Sequence, residues 1–280
     1  MADRGNAAQV QVWNGDSGEA WVTLQRVLDQ TLKPFEGLIV DSVAASAEPR
    51  EQILDVGCGT GATTLALAEH FADHGRCTGI DISEPMIQTA RKRAQGSNLP
   101  VEFIIGDAQS FALPPNTFDL LVSRFGVMFF DDPATAFGNL RRATRPGGRL
   151  TFVCWRHPRD NPFMSTAEHA AARLLTDLEP LTTGSPGPFA FADAHRIQAV
   201  LRDGGWTDVD IRPVDVACTM RERDLPAYLT RMGSVGRRLR TVDTQTRAQV
   251  ITALSQAYTQ FVVDGEVRYT AACWMVHARR

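Results

Sequence analysis

The chain holds only five cysteines in 280 residues, at positions 58, 77, 154, 218 and 273. The set is odd in number and widely scattered. It contains no C-x-x-C pair and no Cys/His cluster, so neither a disulfide framework nor a zinc site is expected. Scarce cysteine of this kind fits a reduced, cytoplasmic protein. Long apolar runs are missing too: none approaches the ~20 residues of a membrane-spanning helix. The N-terminus, Met1-Ala2-Asp3-Arg4-Gly5-Asn6, has no apolar stretch behind a basic start and does not read as a signal peptide. Nor is there a surplus of positive charge. With 29 Lys and Arg against 32 Asp and Glu the net charge is −3, which argues against a protein built around the nucleic-acid phosphate backbone. Internal repeats and low-complexity tracts are also lacking. The expected partner is therefore a small molecule, with no nucleic acid, no membrane and no metal, acting on a monomer or homodimer.

What is present is an ordinary globular composition, 44% hydrophobic and 22% charged, in a chain long enough for one large domain with an appended lid. A polar N-terminal segment carries Trp13 and Trp21. Trp21, Leu24, Leu28 and Leu32 recur at helical spacing, and a linker with Glu48-Pro49-Arg50 follows. A βαβ alternation then begins. Strands are expected at 52–56, 77–82, 101–105, 118–123 and 149–155. Helices fill 62–71, 84–94 (capped by Ser83, with Pro85 in its first turn) and the stretch from Pro133 to about Thr144. The intervals are too long for hairpins and right for crossover helices, which demands a parallel sheet.

After Trp155 the rhythm breaks. Residues 156–191 are rich in proline and glycine around one helix near 165–175, and read as an insertion covering something. A helix at 193–203 and a strand at 207–216 follow. Residues 221–263 read as two amphipathic helices, the first with Leu225, Tyr228, Leu229, Met232, Val235 and Leu239 on one face. The last strand is expected at 267–277. The resulting division is an N-terminal helical arm (1–49), a core (50–155), a lid insertion (156–192) and a C-terminal part of the core (193–280) with a helical insertion at 221–263.

The most informative stretch is Ile53-Leu54-Asp55-Val56-Gly57-Cys58-Gly59-Thr60-Gly61, between a strand and a helix. Glycines there let a ligand approach bare backbone, and the helix N-terminus favours an anionic group. Asp81 follows at the end of the second strand, where an acid accepts ribose hydroxyls. Gly57-x-Gly59-x-x-Ala62 also satisfies a dinucleotide fingerprint, which leaves a nicotinamide-dependent oxidoreductase open. Three features favour another ligand. Asp55, inside the strand end, repels a pyrophosphate but pairs with an ammonium. Gly61 is misplaced for a dinucleotide. Asp107, after the third strand, is set to accept from an adenine amine. An ammonium, a carboxylate, a ribose and an adenine together describe S-adenosylmethionine.

With Gly79-Ile80-Asp81-Ile82-Ser83, Met86, Gly106-Asp107-Ala108, Phe118-Asp119-Leu120-Leu121-Val122-Ser123 and Arg145-Pro146-Gly147-Gly148-Arg149-Leu150, residues 50–155 resemble the class I S-adenosylmethionine-dependent methyltransferases, in the small-molecule branch that includes the ubiquinone and menaquinone enzymes. The resemblance implies an α/β fold: a Rossmann-like, doubly wound, seven-stranded sheet with its last strand antiparallel, carrying helical lid insertions. Strands six and seven, usually a simple hairpin in that family, are here separated by two helices. The implied activity is methyl transfer to an O, N, C or S atom of a small apolar or aromatic metabolite; a non-catalytic cofactor-binding protein is the other alternative. Candidate cofactor residues are Asp55, Gly57, Cys58, Gly59, Gly61, Asp81, Ile82, Met86, Asp107, Ala108, Arg124 and Phe125. Trp13, Phe125 and Trp155 are candidates for the acceptor. His157, just past the fifth strand, is the candidate general base, or else a surface histidine in a Pro-rich turn. His195, near a helix start, reads as capping or exposed, and His70, His74, His169 and His277 read as structural.

Overall fold

The computed structural model describes residues 6–44, 51–71, 75–178 and 180–280. The linker at Glu48-Pro49-Arg50 and His74 lie outside them. Three helices come first: α1 (Ala7–Asn14), α2 (Asp16–Thr23) and α3 (Gln25–Ala44). The alternating core follows as β1 (Glu51–Val56), α4 (Ala62–His70), β2 (Gly75–Asp81), α5 (Glu84–Ala94), β3 (Val101–Ile105), β4 (Phe118–Arg124), α6 (Pro133–Ala143) and β5 (Thr144–Trp155). Beyond it are α7 (Pro162–Ala171), α8 (Ala194–Asp203), β6 (Thr207–Arg221), α9 (Leu225–Leu229), α10 (Gly233–Arg238), α11 (Thr244–Tyr258), β7 (Val262–Val263) and β8 (Glu266–Arg279).

The sheet runs β3-β2-β1-β4-β5-β8-β6, with the short β7 paired to β8. Neighbours from β3 through β5 are parallel, whereas β8 is antiparallel to both β5 and β6. The expected doubly wound sheet with an antiparallel last strand is therefore present, with an eighth, two-residue strand added. Inserting helices between β6 and β8 does not disturb their pairing. Their ladder outlasts β5: Trp155 faces Cys273, but β8 continues pairing with β6 down to Glu266 opposite Arg221. This overhanging ribbon carries the insertion. Edge strand β6 is mostly exposed and holds Pro213, tolerable only where no ladder donor is lost.

Two apolar cores result. The main one buries Ile53, Leu54, Leu120, Leu121, Phe152 and Val153 of the sheet against Phe35 and Ile39 of α3 and Phe137 and Leu140 of α6. The second lies under the insertion and joins Phe163 of α7 to Leu225, Leu229, Val250, Leu254 and Tyr258. The first of the two expected helices in 221–263 is broken. Gly233 takes a left-handed φ of +71°, so α9 and α10 are separate. The apolar spacing persists across the break because Leu225, Leu229, Val235 and Leu239 all face the same small core.

At the switch point, where strand order reverses between β1 and β4, the two chains touch through glycine. A Cβ on Gly57 would lie 2.6 Å from the Gly126 Cα, and one on Gly126 would lie 2.4 Å from the Val56 carbonyl oxygen. The Ser123 hydroxyl donates to that carbonyl at 2.7 Å and accepts the Gly126 N–H at 3.1 Å. Gly126 itself has an ordinary φ of −82°, so only space excludes a side chain. Gly126→Ala should therefore destabilise the fold by about 2 kcal/mol through overpacking. Gly138→Ala, in the α6 interior with nothing within 4 Å of the new methyl, should stabilise it by about 0.5–1 kcal/mol. Urea unfolding midpoints of the two variants should move in opposite directions; a shared direction contradicts the packing account.

Candidate functional site

The carboxyl ends of β1, β2, β3 and β4 open into one cavity of about 480 Å³, within the range of small-molecule sites. It lies at the crevice that an open α/β sheet leaves where strand order reverses. Of the residues expected at the cofactor, Asp55, Gly57, Cys58, Gly59, Asp81, Ile82, Met86, Asp107, Ala108, Arg124 and Phe125 all line it. Gly61 does not. It is the left-handed N-cap of α4, and the space its missing Cβ leaves is taken by Ala90 and the Phe103 ring. Cys58 contributes backbone rather than a nucleophile. Its side chain packs with Ile87, Ala90 and Phe103, and burial pushes the thiol far up, with Asp81 and Asp55 adding to the effect.

The three strand-tip acids differ in their company. Asp55 is 1% exposed. One of its oxygens accepts the Thr64 hydroxyl at 2.7 Å, and the other is buried with no partner among the described residues. Burial pushes its pKa up to about 6, against the lowering influence of Thr64 and Arg124, and Asp81 raises it further. Asp81 accepts the Gly59 and Ser83 backbone N–H groups, each at 2.8 Å. Burial still carries it to about 6. Asp107 accepts from the Gln109 N–H at 3.0 Å and the Asn6 amide at 3.3 Å. Arg124 is half-buried and donates to the Leu32 carbonyl at 3.2 Å. Its pKa is lowered by desolvation, which Asp55 and Glu36 oppose.

The N-terminal helices lie over these strand tips. The Ser83 hydroxyl does not cap α5, as the sequence pattern suggests, but donates to the Trp13 carbonyl at 2.6 Å. Asn14 donates to the Ile82 carbonyl at 3.0 Å and accepts the Glu84 N–H at 2.8 Å. The Trp13 ring lines the cavity, edge-on to Phe129 at 4.9 Å. Phe125 holds a left-handed φ of +63°, an uncommon conformation for a bulky residue. Its ring stacks on Trp155 with centroids 4.4 Å apart and planes 7° apart. Both line the cavity.

The general base expected at His157 is not brought to the cavity. Its Nδ1 accepts the Arg159 N–H at 3.2 Å and caps a short 3-10 turn, so the ring is used in the loop it belongs to. Sequence reasoning also passed over part of the wall. Glu168 of α7, Tyr228 of α9, Ser234 of α10 and Tyr269 of β8 complete the cavity from the insertion side, beside Phe163, an aromatic of the expected lid. Glu168, the only charged residue of the segment Pro162-Phe163-Met164-Ser165-Thr166-Ala167-Glu168, was the available signal.

A reversed strand order, a glycine loop after β1 and acids on successive strand tips define an enzyme of the nucleoside-binding, Rossmann-like class. Known proteins narrow the class. A family model described as a methyltransferase domain matches residues 54–152. The demethylmenaquinone methyltransferase of Thermus thermophilus is 33% identical over 165 residues, 56% of this chain and 74% of that protein. The demethylmenaquinone methyltransferase of Renibacterium salmoninarum is 29% identical over 184 residues, 62% of this chain and 73% of that protein. The YcgJ protein of Bacillus subtilis shares the fold, with a TM-score of 0.57 at 19% identity over 88% of this chain and 97% of its own. The chain belongs to the class I S-adenosylmethionine-dependent methyltransferases, and S-adenosylmethionine is its cofactor.

The arm is held to the strand tips by polar bonds at exposed or half-exposed positions. Asn14→Ala removes two of them and should raise amide hydrogen exchange in residues 7–23 about fivefold or more, with the sheet unaffected. Equal protection in both proteins would show that Asn14 does not fasten the arm.

Proposed function

We propose that the protein methylates a small apolar or aromatic molecule held against the Phe125–Trp155 stack, with the cofactor gripped by the strand-tip acids. The observation that carries the cofactor's placement is the Asp55 oxygen, buried and without a partner among the described residues. A carboxylate there suits an ammonium and repels a pyrophosphate, which separates this site from a dinucleotide site. Asp81 keeps a second lone pair on each oxygen for a ribose diol. Asp107 stands at the next strand tip for the adenine amine, and the uncapped N-terminus of α4 offers N–H groups to the methionyl carboxylate. When bound, the cofactor supplies an electrophilic sulfonium methyl. The chain's own task is then to align the acceptor at about 3–3.5 Å and to exclude water. Phe125, Trp155, Trp13 and Phe129 supply apolar and aromatic surface for that purpose.

The acceptor class is supported by this lining and by the names of the relatives, which act on demethylmenaquinone. A reducing, cytoplasmic setting belongs to the same proposal, supported by five buried cysteines that are all free. No helix among the described residues is long and apolar enough to cross a membrane.

Calorimetric titration tests the grip on the cofactor. S-adenosylhomocysteine should bind saturably and NAD should not; the reverse result would overturn the proposal. Asp81→Ala should cost about 1.5–3 kcal/mol of binding, the loss of a buried charged hydrogen bond.

The pH dependence tests Asp55. An ammonium pairs with the ionised carboxylate, so affinity rises as pH climbs through about 6 and levels off above it. At pH 5 roughly a tenth of Asp55 is ionised, so Kd should be about tenfold weaker than at pH 7.5. Asp55→Asn should reduce that slope to what Asp81 alone contributes. A flat profile in the wild type contradicts the ammonium pairing.

A further inference from the structure

The insertion side of the cavity holds a carboxylate that the cofactor does not account for. Glu168 lies on α7 and lines the same cavity. Its Oε1 accepts the Ser234 hydroxyl at 2.8 Å, while Oε2 is buried with no partner among the described residues. Ser234 comes from α10, 66 residues along the chain, so the carboxylate is oriented by a separate element.

Two polar side chains of the wall, Tyr228 and Arg237, act on the carboxylate without bonding to it. Phe163 stacks on Tyr269 with centroids 3.8 Å apart and planes 4° apart. Tyr228, its ring tilted 42° to Phe163 with centroids 5.8 Å apart, makes no hydrogen bond among the described residues. Burial raises the Glu168 pKa; Ser234 lowers it most, followed by its own backbone N–H, His169 and Arg237. Arg237 is exposed and forms no ion pair among the described residues. A carboxylate oxygen desolvated in an aromatic wall costs free energy until a donor reaches it. A leucine or methionine would fill the same space without that cost. Arg237 lines the same cavity and forms no ion pair with the carboxylate, so a ligand entering the cavity can supply the missing donor.

We propose that Glu168, held by Ser234, is the hydrogen-bond acceptor for a hydroxyl or amino group on the methyl acceptor. The acceptor is then a molecule with a flat apolar body and an O–H or N–H at the end that meets α7. This assignment rests on the apolar or aromatic acceptor proposed above.

Matched probes separate the two ideas. 2-Naphthol and 2-methoxynaphthalene share a flat body and differ in one donor. Their binding to protein saturated with S-adenosylhomocysteine is measured by calorimetry for the wild type, Glu168→Met, Glu168→Gln and Ser234→Ala. The wild type should prefer the naphthol roughly fivefold or more, the worth of one buried hydrogen bond. Glu168→Met should abolish the preference, Glu168→Gln should retain part of it through its amide oxygen, and Ser234→Ala should weaken it. S-adenosylhomocysteine affinity, unchanged in all three, reports that the variants are folded. A variant that loses it is set aside for the conservative Glu168→Gln, whose preference must still fall below the wild-type value. Binding of both probes with no discrimination by the wild type, or an undiminished preference in Glu168→Met, overturns the role of Glu168 alone. Failure of both naphthalenes to bind the wild type overturns the acceptor class and this assignment with it.

Discussion

The approach of Gly57 to Gly126 is the constraint on which the site depends. Where β1 and β4 part, the glycine loop must pass so close to the chain leaving β4 that neither residue can carry a Cβ. The Ser123 hydroxyl closes the gap by bonding both sides at once. A small-residue crossing of this kind is rigid because interiors are close-packed and resist graded deformation. It fixes where the loop amides stand relative to the Arg124–Phe125 strand end. The left-handed Phe125 is a consequence: the chain turns there to clear Gly57, and the turn delivers an aromatic ring to the cavity beside Trp155.

From that crossing outward, the molecule divides labour between two cores. The main core holds the strand tips and their carboxylates at fixed spacing, so two buried acids are kept near pKa 6 rather than relaxing into solvent. Both are only partly satisfied by the protein. Asp81 spends its hydrogen bonds on the loop and the α5 entrance, which makes it a support for the glycine turn as well as a cavity acid. The second core, under the overhanging β6–β8 ribbon, holds α7, α9, α10 and α11 together. Separate packing lets the insertion side of the cavity be built independently of the strand-tip side.

Much of the main core was legible in the sequence because buried parallel strands are continuous apolar runs and helices between them keep a clear period. The tips of those strands are where glycine and acid replace apolar residues, so the cofactor half of the site stood out as well. Elsewhere periodicity misled in an instructive way. Trp21, Leu24, Leu28 and Leu32 read as one helix, yet α2 ends at Thr23 and α3 begins at Gln25. The same occurs across Gly233. Apolar spacing records which side faces a core, and it survives a break in the backbone when both pieces face the same one. Asp264-Gly265, both at positive φ, turns β7 into β8; that dipeptide is a strong hairpin signal, but the strand before it, Val262–Val263, fell in a segment read as the end of a helix. Ser83 looked like a cap because its position fits one, and its true partner is a carbonyl 70 residues earlier.

His157 and Glu168 show why the acceptor side resisted reading. Histidine after the fifth strand is a reasonable place for a base, and Trp155, two residues earlier, does line the cavity. A local hydrogen bond to Arg159 turns the ring to its own loop instead. Glu168 carries no motif, and what marks it out is what meets it in space: a serine from α10 and a tyrosine from α9. Neither is near it in sequence. A cofactor shared by a family leaves a repeated pattern along one chain segment, whereas an acceptor particular to one protein is met by residues that only the tertiary fold assembles. The boundary between what the sequence reveals and what needs the structure therefore falls, in this molecule, between the two halves of a single cavity.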